Sequence, residues 1–324
     1  MIRLPWRRLS ARESGAPPPP PREVIPPSLE GPLRKALLAV IADEEIAGRV
    51  GLRLELDLYT GRARLREQFS GWEGEHLGLR DALAWTSPKE LLYDVIDAVL
   101  HLHPDHQRVE SSLAGTYPAD TRSRLANLDV LATVNGYGEP VFTAPPLRQA
   151  ATALEAVLAD GNSAYRVSDD QRELQRRIAE PVQAAAAAAR NAAADAGRHE
   201  AVRDLQEAWS ATYGRQPRPS EAYRLAIRAV EDVAIPVVIP ADTGATLGKV
   251  RASLANGGHK WRLSMTGDVE PLVTMISLLW TGQTDRHAGQ VDLARVDEKA
   301  AEQAVHLATT LVQWFAAGHV QRLP

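Results

Sequence analysis

Between Glu180 and Ser210 the sequence leaves the backbone little choice. Ala184 to Ala189 and Ala192 to Ala194 form two alanine blocks, and alanine loses least of all residues on entering a helix. One long helix or two are expected there, with Ala187, Ala194, Leu205 and Trp209 among the packed positions. The wider chain leans the same way: alanine, leucine and arginine are in excess, and aromatics make up only 5%. The expected fold class is mostly α, with a C-terminal helical bundle preceded by a small α+β or helical N-terminal domain.

With 324 residues, the chain is long enough for two domains of about 150 residues each. Residues 1–27 hold Pro17 to Pro21 in a row, then Pro26 and Pro27. Such a run suits neither helix nor central strand and predicts an extended, mobile tail. Residues 28–160 form the expected N-terminal domain, of unknown role, and 161–324 the C-terminal one. Ser28 is the expected cap of a helix over Leu29 to Ala47, with Leu33, Leu37, Leu38 and Ile41 at helical spacing. Leu52, Leu54, Leu56 and Leu58 alternate, which predicts a strand to Tyr59. Ser87-Pro88 opens a further helix whose apolar face is Leu91, Leu92, Val95, Ile96, Val99 and Leu100. A helix follows near Leu147 to Leu158, then a short extended element over 161–167.

In the second half, Ser220 caps a helix to Ile235 that presents Tyr223, Ala226, Ile227, Val230, Val233 and Ala234 on one face. Arg224, Arg228 and Asp232 fall opposite, and Glu231 lies at the boundary. Pro236 and Pro240 are expected to interrupt it. A short helix from Thr246 ends at Asn256-Gly257. Asp268 caps the next, and the last spans Asp297 to Ala317. His306 falls on the polar side of that last helix and is discounted as a site residue.

Net charge is −4 and the pI near 6.2, so no global basic field draws the chain to nucleic acid or anionic lipid, although a local basic patch is compatible with it. The absence of cysteine excludes disulfides, thiolate catalysis and cysteine-based zinc sites, and a cytoplasmic location fits. No run approaches the roughly 18 apolar residues of a membrane helix. Met1 to Arg8 is basic but has no apolar core after it, so neither signal peptide nor membrane association is expected. His101, His103 and His106 stand close together, as metal ligands do. No further ligand spacing supports a site, and imidazoles near the carbonyls of a helix end are the preferred reading. Gly244 to Val250 lacks the spacing and the hydroxyl of a phosphate-binding Walker loop, and no GxGxxG, HExxH or GxSxG occurs. Neither a metal nor a cofactor is implied.

Three stretches carry a resemblance. They are Asn162-Ser163-Ala164-Tyr165-Arg166-Val167; Ala222 to Glu231 followed by Thr246-Leu247-Gly248-Lys249-Val250; and Arg286-His287-Ala288-Gly289 ahead of the last helix. Together they resemble the C-terminal domain of abortive-infection (Abi) proteins, itself similar to the HEPN helical bundle. The resemblance covers roughly half of the chain. It implies phage defence or a toxin–antitoxin-like role, a homodimer, and RNA or a nucleotide as ligand. HEPN ribonucleases have an Arg separated from a following His by four to six residues, and this chain has no such pair; Arg286 adjoins His287 instead. If RNA is cleaved without metal, the resemblance implies His287 as acid/base and Arg286 as phosphate clamp.

The residues around that pair are informative on their own. If the preceding helix runs on, Gln283, Arg286 and His287 continue the apolar stripe of Leu272, Met275, Ile276 and Leu279. Gln283 and Asp285 are then placed to orient the pair, and Glu231 to meet Arg286 across the bundle. The alternative is a polar network or helix cap in a non-catalytic protein-interaction and dimerisation module. A phage structural protein is a weaker third reading, because no repeats or long β segments occur.

Overall fold

A computed structural model describes residues 21–71, 74, 76–106, 131–134, 140–143, 146–242, 244–265, 268–282 and 296–323. The chain is mostly helical, as expected, and divides into two compact units, residues 1–177 and 178–324.

The first unit contains α1 (Pro27–Val40), α2 (Glu44–Arg53), α3 (Leu58–Gln68), α4 (Leu79–Thr86), α5 (Leu92–Leu102) and α6 (Pro146–Asp160). Two short antiparallel hairpins accompany them: β1 (Leu131–Val134) with β2 (Pro140–Thr143), and β3 (Tyr165–Val167) with β4 (Leu174–Arg176). The core gathers Leu33, Leu37, Leu83, Leu92, Ile96, Leu100, Leu154 and Leu158, all fully enclosed.

Four local expectations are corrected here. The expected strand from Leu52 is instead the end of α2, a turn, and the start of α3. Glu55 adopts φ 54°, Leu56 N–H bonds the Gly51 carbonyl, and Asp57 caps α3 by accepting from Thr60 N at 3.0 Å. The alternating leucines had no common face: Leu52 is exposed and Leu58 buried. The first helix starts at Pro27, not after a Ser28 cap, because proline's missing N–H costs nothing at the first helical position. It stops at Val40, and Asp43 starts a new helix by accepting from Ile46 N at 2.9 Å. The expected tail is also shorter than 27 residues at its C-terminal side, since Arg22 bonds Asn162 and Ala164 through its backbone and Ile25 is buried.

Residues 161–177, assigned to the C-terminal domain on sequence, pack within the first unit. Glu155 accepts from Val167 N at 2.8 Å and pairs with Arg177 at 2.7 Å, while Asp97 accepts from Leu174 N at 2.6 Å. Carboxylates on α6 and α5 therefore hold both strands of the β3–β4 hairpin.

The second unit has α7 (Glu180–Asp195), α8 (His199–Tyr213), α9 (Pro219–Val238), α10 (Leu247–Asn256), α11 (Glu270–Thr281) and α12 (Glu298–Ala316), with β5 (Trp261–Leu263) paired to β6 (Val320–Arg322). The alanine-rich stretch makes two helices. Gly197, at φ 72°, turns the chain between them, and Arg198 N–H closes onto the Ala193 carbonyl. Ala186, Ala189 and Ala193 supply the buried face of α7; Ala187 and Ala194 are only half-buried. The 20-residue α9 packs on α8, α10 and α12, and all six residues expected on its apolar face are buried. Its start is Pro219 rather than a Ser220 cap. Pro236 does not interrupt it, because only two helical residues follow and little remains to be broken.

Candidate functional site

Arg286, His287, Gln283 and Asp285 lie outside the described residues. The helix before them, α11, is described as far as Thr281, with Gly282 N–H bonding the Leu278 carbonyl. The buried face of α11 is Leu272, Ile276 and Leu279. Glu231 is described, and its Oε1 accepts from Leu247 N at 2.7 Å. Thr246 at the start of α10 makes no side-chain cap. The Glu231 carboxylate, reaching across from α9, takes that place at the positive end of the helix.

The three N-terminal histidines do not converge on one point. His101 is exposed, whereas His103 and His106 are buried. A ring nitrogen of His106 lies 2.9 Å from the Leu100 carbonyl, as the helix-end reading expected. Asp105 N–H donates to His103 Nδ1 at 3.2 Å, and Asp105 accepts from Leu147 N at 3.0 Å. Among the described residues no group of three His, Asp or Glu side chains is arranged to hold a metal ion, and no helix is long and apolar enough to cross a membrane.

His306, discounted on sequence, belongs to a polar cluster between α8 and α12. Its Nε2 lies 2.6 Å from the Tyr213 hydroxyl, which donates to Glu302 Oε1 at 3.0 Å. Glu302 and His306 are one helical turn apart, so both reach the same hydroxyl. The Tyr213 and His306 rings stack, and Trp209 leans on both. Burial first, and the Glu302 charge second, push the Tyr213 hydroxyl well above its ordinary range. Tyr213 is therefore a neutral donor between a carboxylate and an imidazole. That is the chemistry of a buried tyrosine satisfying its hydroxyl while it ties two helices together.

A second arrangement has the composition of a binding site. At the C-terminal end of α10 the chain turns through Gly258–Lys260, with Lys260 N–H on the Gly257 carbonyl at 2.8 Å. It then enters β5, where Trp261 sits opposite Arg322 and Leu263 opposite Val320. Leu323 N–H bonds the Lys260 carbonyl at 2.8 Å, which extends the pairing of the two strands by one more bond. These elements border an open cleft of about 250 Å³ lined by Ser253, Asn256, Gly257, Lys260, Trp261 and Arg322, with Val238 from the end of α9.

None of those residues carries a carboxylate. Lys260 and Arg322 are exposed and make no ion pair among the described residues. Trp261 is 6% exposed, and its indole N–H, a donor with no acceptor capacity, bonds nothing among the described residues. Its nitrogen lies beside Gly257, 3.9 Å from where a Cβ there would stand. The α10 carbonyl end adds only a fraction of a negative charge, against two full cations. Compared with known proteins, the chain matches no protein-family model, no curated protein and no solved structure.

Proposed function

We propose that this chain is an RNA- or nucleotide-binding protein of the abortive-infection kind, acting as a homodimer in phage defence, and that its C-terminal unit holds the ligand. One observation carries the binding half of this reading. The cleft between α10 and the β5–β6 strand pair offers two cations, a hydroxyl, an amide and an indole N–H, with no carboxylate among them. Such a set complements phosphate oxygens, which accept hydrogen bonds and carry negative charge. A local basic site of this kind is compatible with the acidic net charge of the chain. The defence role rests on the resemblance of the Ala222–Glu231, Thr246–Val250 and Arg286–Gly289 stretches to abortive-infection proteins. Cleavage of RNA by His287 and Arg286 is the catalytic form of the same reading.

The test is phage challenge of cells expressing wild type, Lys260→Glu/Arg322→Glu or Arg286→Ala/His287→Ala, with total RNA run on a gel. Protection is expected from wild type and not from the charge-reversed cleft. RNA breakdown lost in the Arg286/His287 variant would add catalysis to binding. Protection retained by the charge-reversed cleft, at equal protein level, would contradict the reading.

A further inference from the structure

We infer that the cleft recognises a terminal phosphate, that is, a phosphomonoester, in preference to the internal phosphodiesters of a strand. The inference rests on the RNA-or-nucleotide reading above and narrows the ligand to one chemical class. A phosphomonoester carries about −1.5 to −2 charge at neutral pH and three strong acceptor oxygens. An internal diester carries a single charge. Lys260 and Arg322 supply two positive charges, which suits the monoester. The remaining donors, Ser253, Asn256 and the Trp261 indole, match a group rich in acceptors.

Geometry favours an end as well. The cleft is about 250 Å³, open to solvent on one side and bordered by a helix end, a 3-10 turn and the short β5–β6 strand pair, so it is a local recess built by short elements. Trp261 is nine-tenths buried with its indole N–H unpartnered among the described residues. The indole nitrogen is not among the enclosed polar atoms left without a partner, so it is open to solvent, and a ligand oxygen can take the place of water at this donor. The phosphate of a continuous strand, flanked by a sugar on each side, approaches such a recess less closely than a terminal phosphate does.

The experiment is fluorescence-anisotropy binding of one short single-stranded RNA made with a 5′ phosphate, with a 3′ phosphate or with hydroxyls at both ends. Inorganic phosphate and a small phosphomonoester serve as competitors. A phosphate at one end is expected to tighten binding about tenfold, a gain that charge-assisted hydrogen bonds readily supply. Lys260→Gln and Arg322→Gln should each abolish that preference, and both competitors should displace the phosphorylated strand. Trp261→Phe should weaken it too, with circular dichroism checking the fold; if that variant unfolds, the two surface variants still decide. Equal affinity for all three strands, reduced in Lys260→Glu/Arg322→Glu, would overturn the end preference and leave RNA binding standing. Binding of the small phosphomonoester by wild type but not by the variants, with no strand bound, would support the class of ligand and overturn RNA as its source. No binding of strand or phosphate would overturn both.

Discussion

Trp261 and Arg322 stand directly opposite each other in the β5–β6 ladder, so one strand pair sets both the indole and one cation of the cleft. Opposite residues of an antiparallel pair project to the same face. Lys260, immediately before β5, is held by the backbone bond that Leu323 makes to its carbonyl. Three of the cleft's side chains thus depend on a pair of three-residue strands, and the position of that pair against α10 matters.

That dependence puts weight on the packing of α10 itself. A Cβ on Gly248 would come within 2.9 Å of the Trp280 indole ring on α11, a rigid neighbour with little room to yield. Gly248→Ala is therefore expected to destabilise the second unit by about 1–3 kcal/mol, the usual range for overpacking. Urea unfolding followed by tryptophan fluorescence measures it. An unchanged midpoint would mean that the two helices separate at no cost.

Tyr213→Phe removes the hydroxyl that joins Glu302 to His306 and keeps the ring that stacks on His306 and packs against Trp209. Both partners are half-buried and regain water when the hydroxyl goes, so the expected loss is modest, about 0.5–1.5 kcal/mol. RNA affinity should not change. A variant of unaltered stability but lost RNA binding would move the functional site from the β5–β6 cleft to this cluster.

Much of this was legible in the sequence, and the remainder was not, for physical reasons. The apolar faces of α9 and α12 follow from helical period alone, because each is long enough for a stripe to repeat over several turns. His306 lies off that stripe, and only tertiary packing brings Tyr213 to it; a Glu and a His one turn apart on the polar side was the available hint. The cleft had no local signal. Lys260 and Trp261 meet Arg322 through strands far apart in sequence and too short to show alternation. Leu52 to Leu58 did show alternation, yet Asp57 capping and the turn at Glu55 override it. Glu231 was expected to meet Arg286, which lies outside the described residues; the structure gives its carboxylate the Leu247 backbone N–H.

Asp204 gives the chain a pH signature. Its side chain is almost fully buried, Oδ1 bonds nothing among the described residues, and Oδ2 lies 3.2 Å from Arg228 Nε. Burial raises its pKa above the ordinary aspartate value, and the Arg228 charge only partly offsets that. The folded state therefore binds this proton more tightly than the unfolded state. Its stabilising effect is full below the unfolded value of 3.8 and is lost as pH rises through the higher folded value. Wild type should thus gain stability relative to Asp204→Asn as pH falls from neutrality toward that range. Paired urea titrations at neutral and mildly acidic pH measure the difference. A gap that is constant with pH would show that Asp204 titrates as it does in the unfolded chain.

The central claim is that the second unit binds phosphate-bearing ligands through Lys260 and Arg322. Its most direct measurement is the affinity of wild type and Lys260→Glu/Arg322→Glu for single-stranded RNA across a salt series, with circular dichroism confirming both folds. The expected result is binding that weakens with salt in wild type, and an affinity lowered at least about tenfold with a shallower salt slope in the variant. Equal affinities and equal slopes in two folded proteins would contradict the claim.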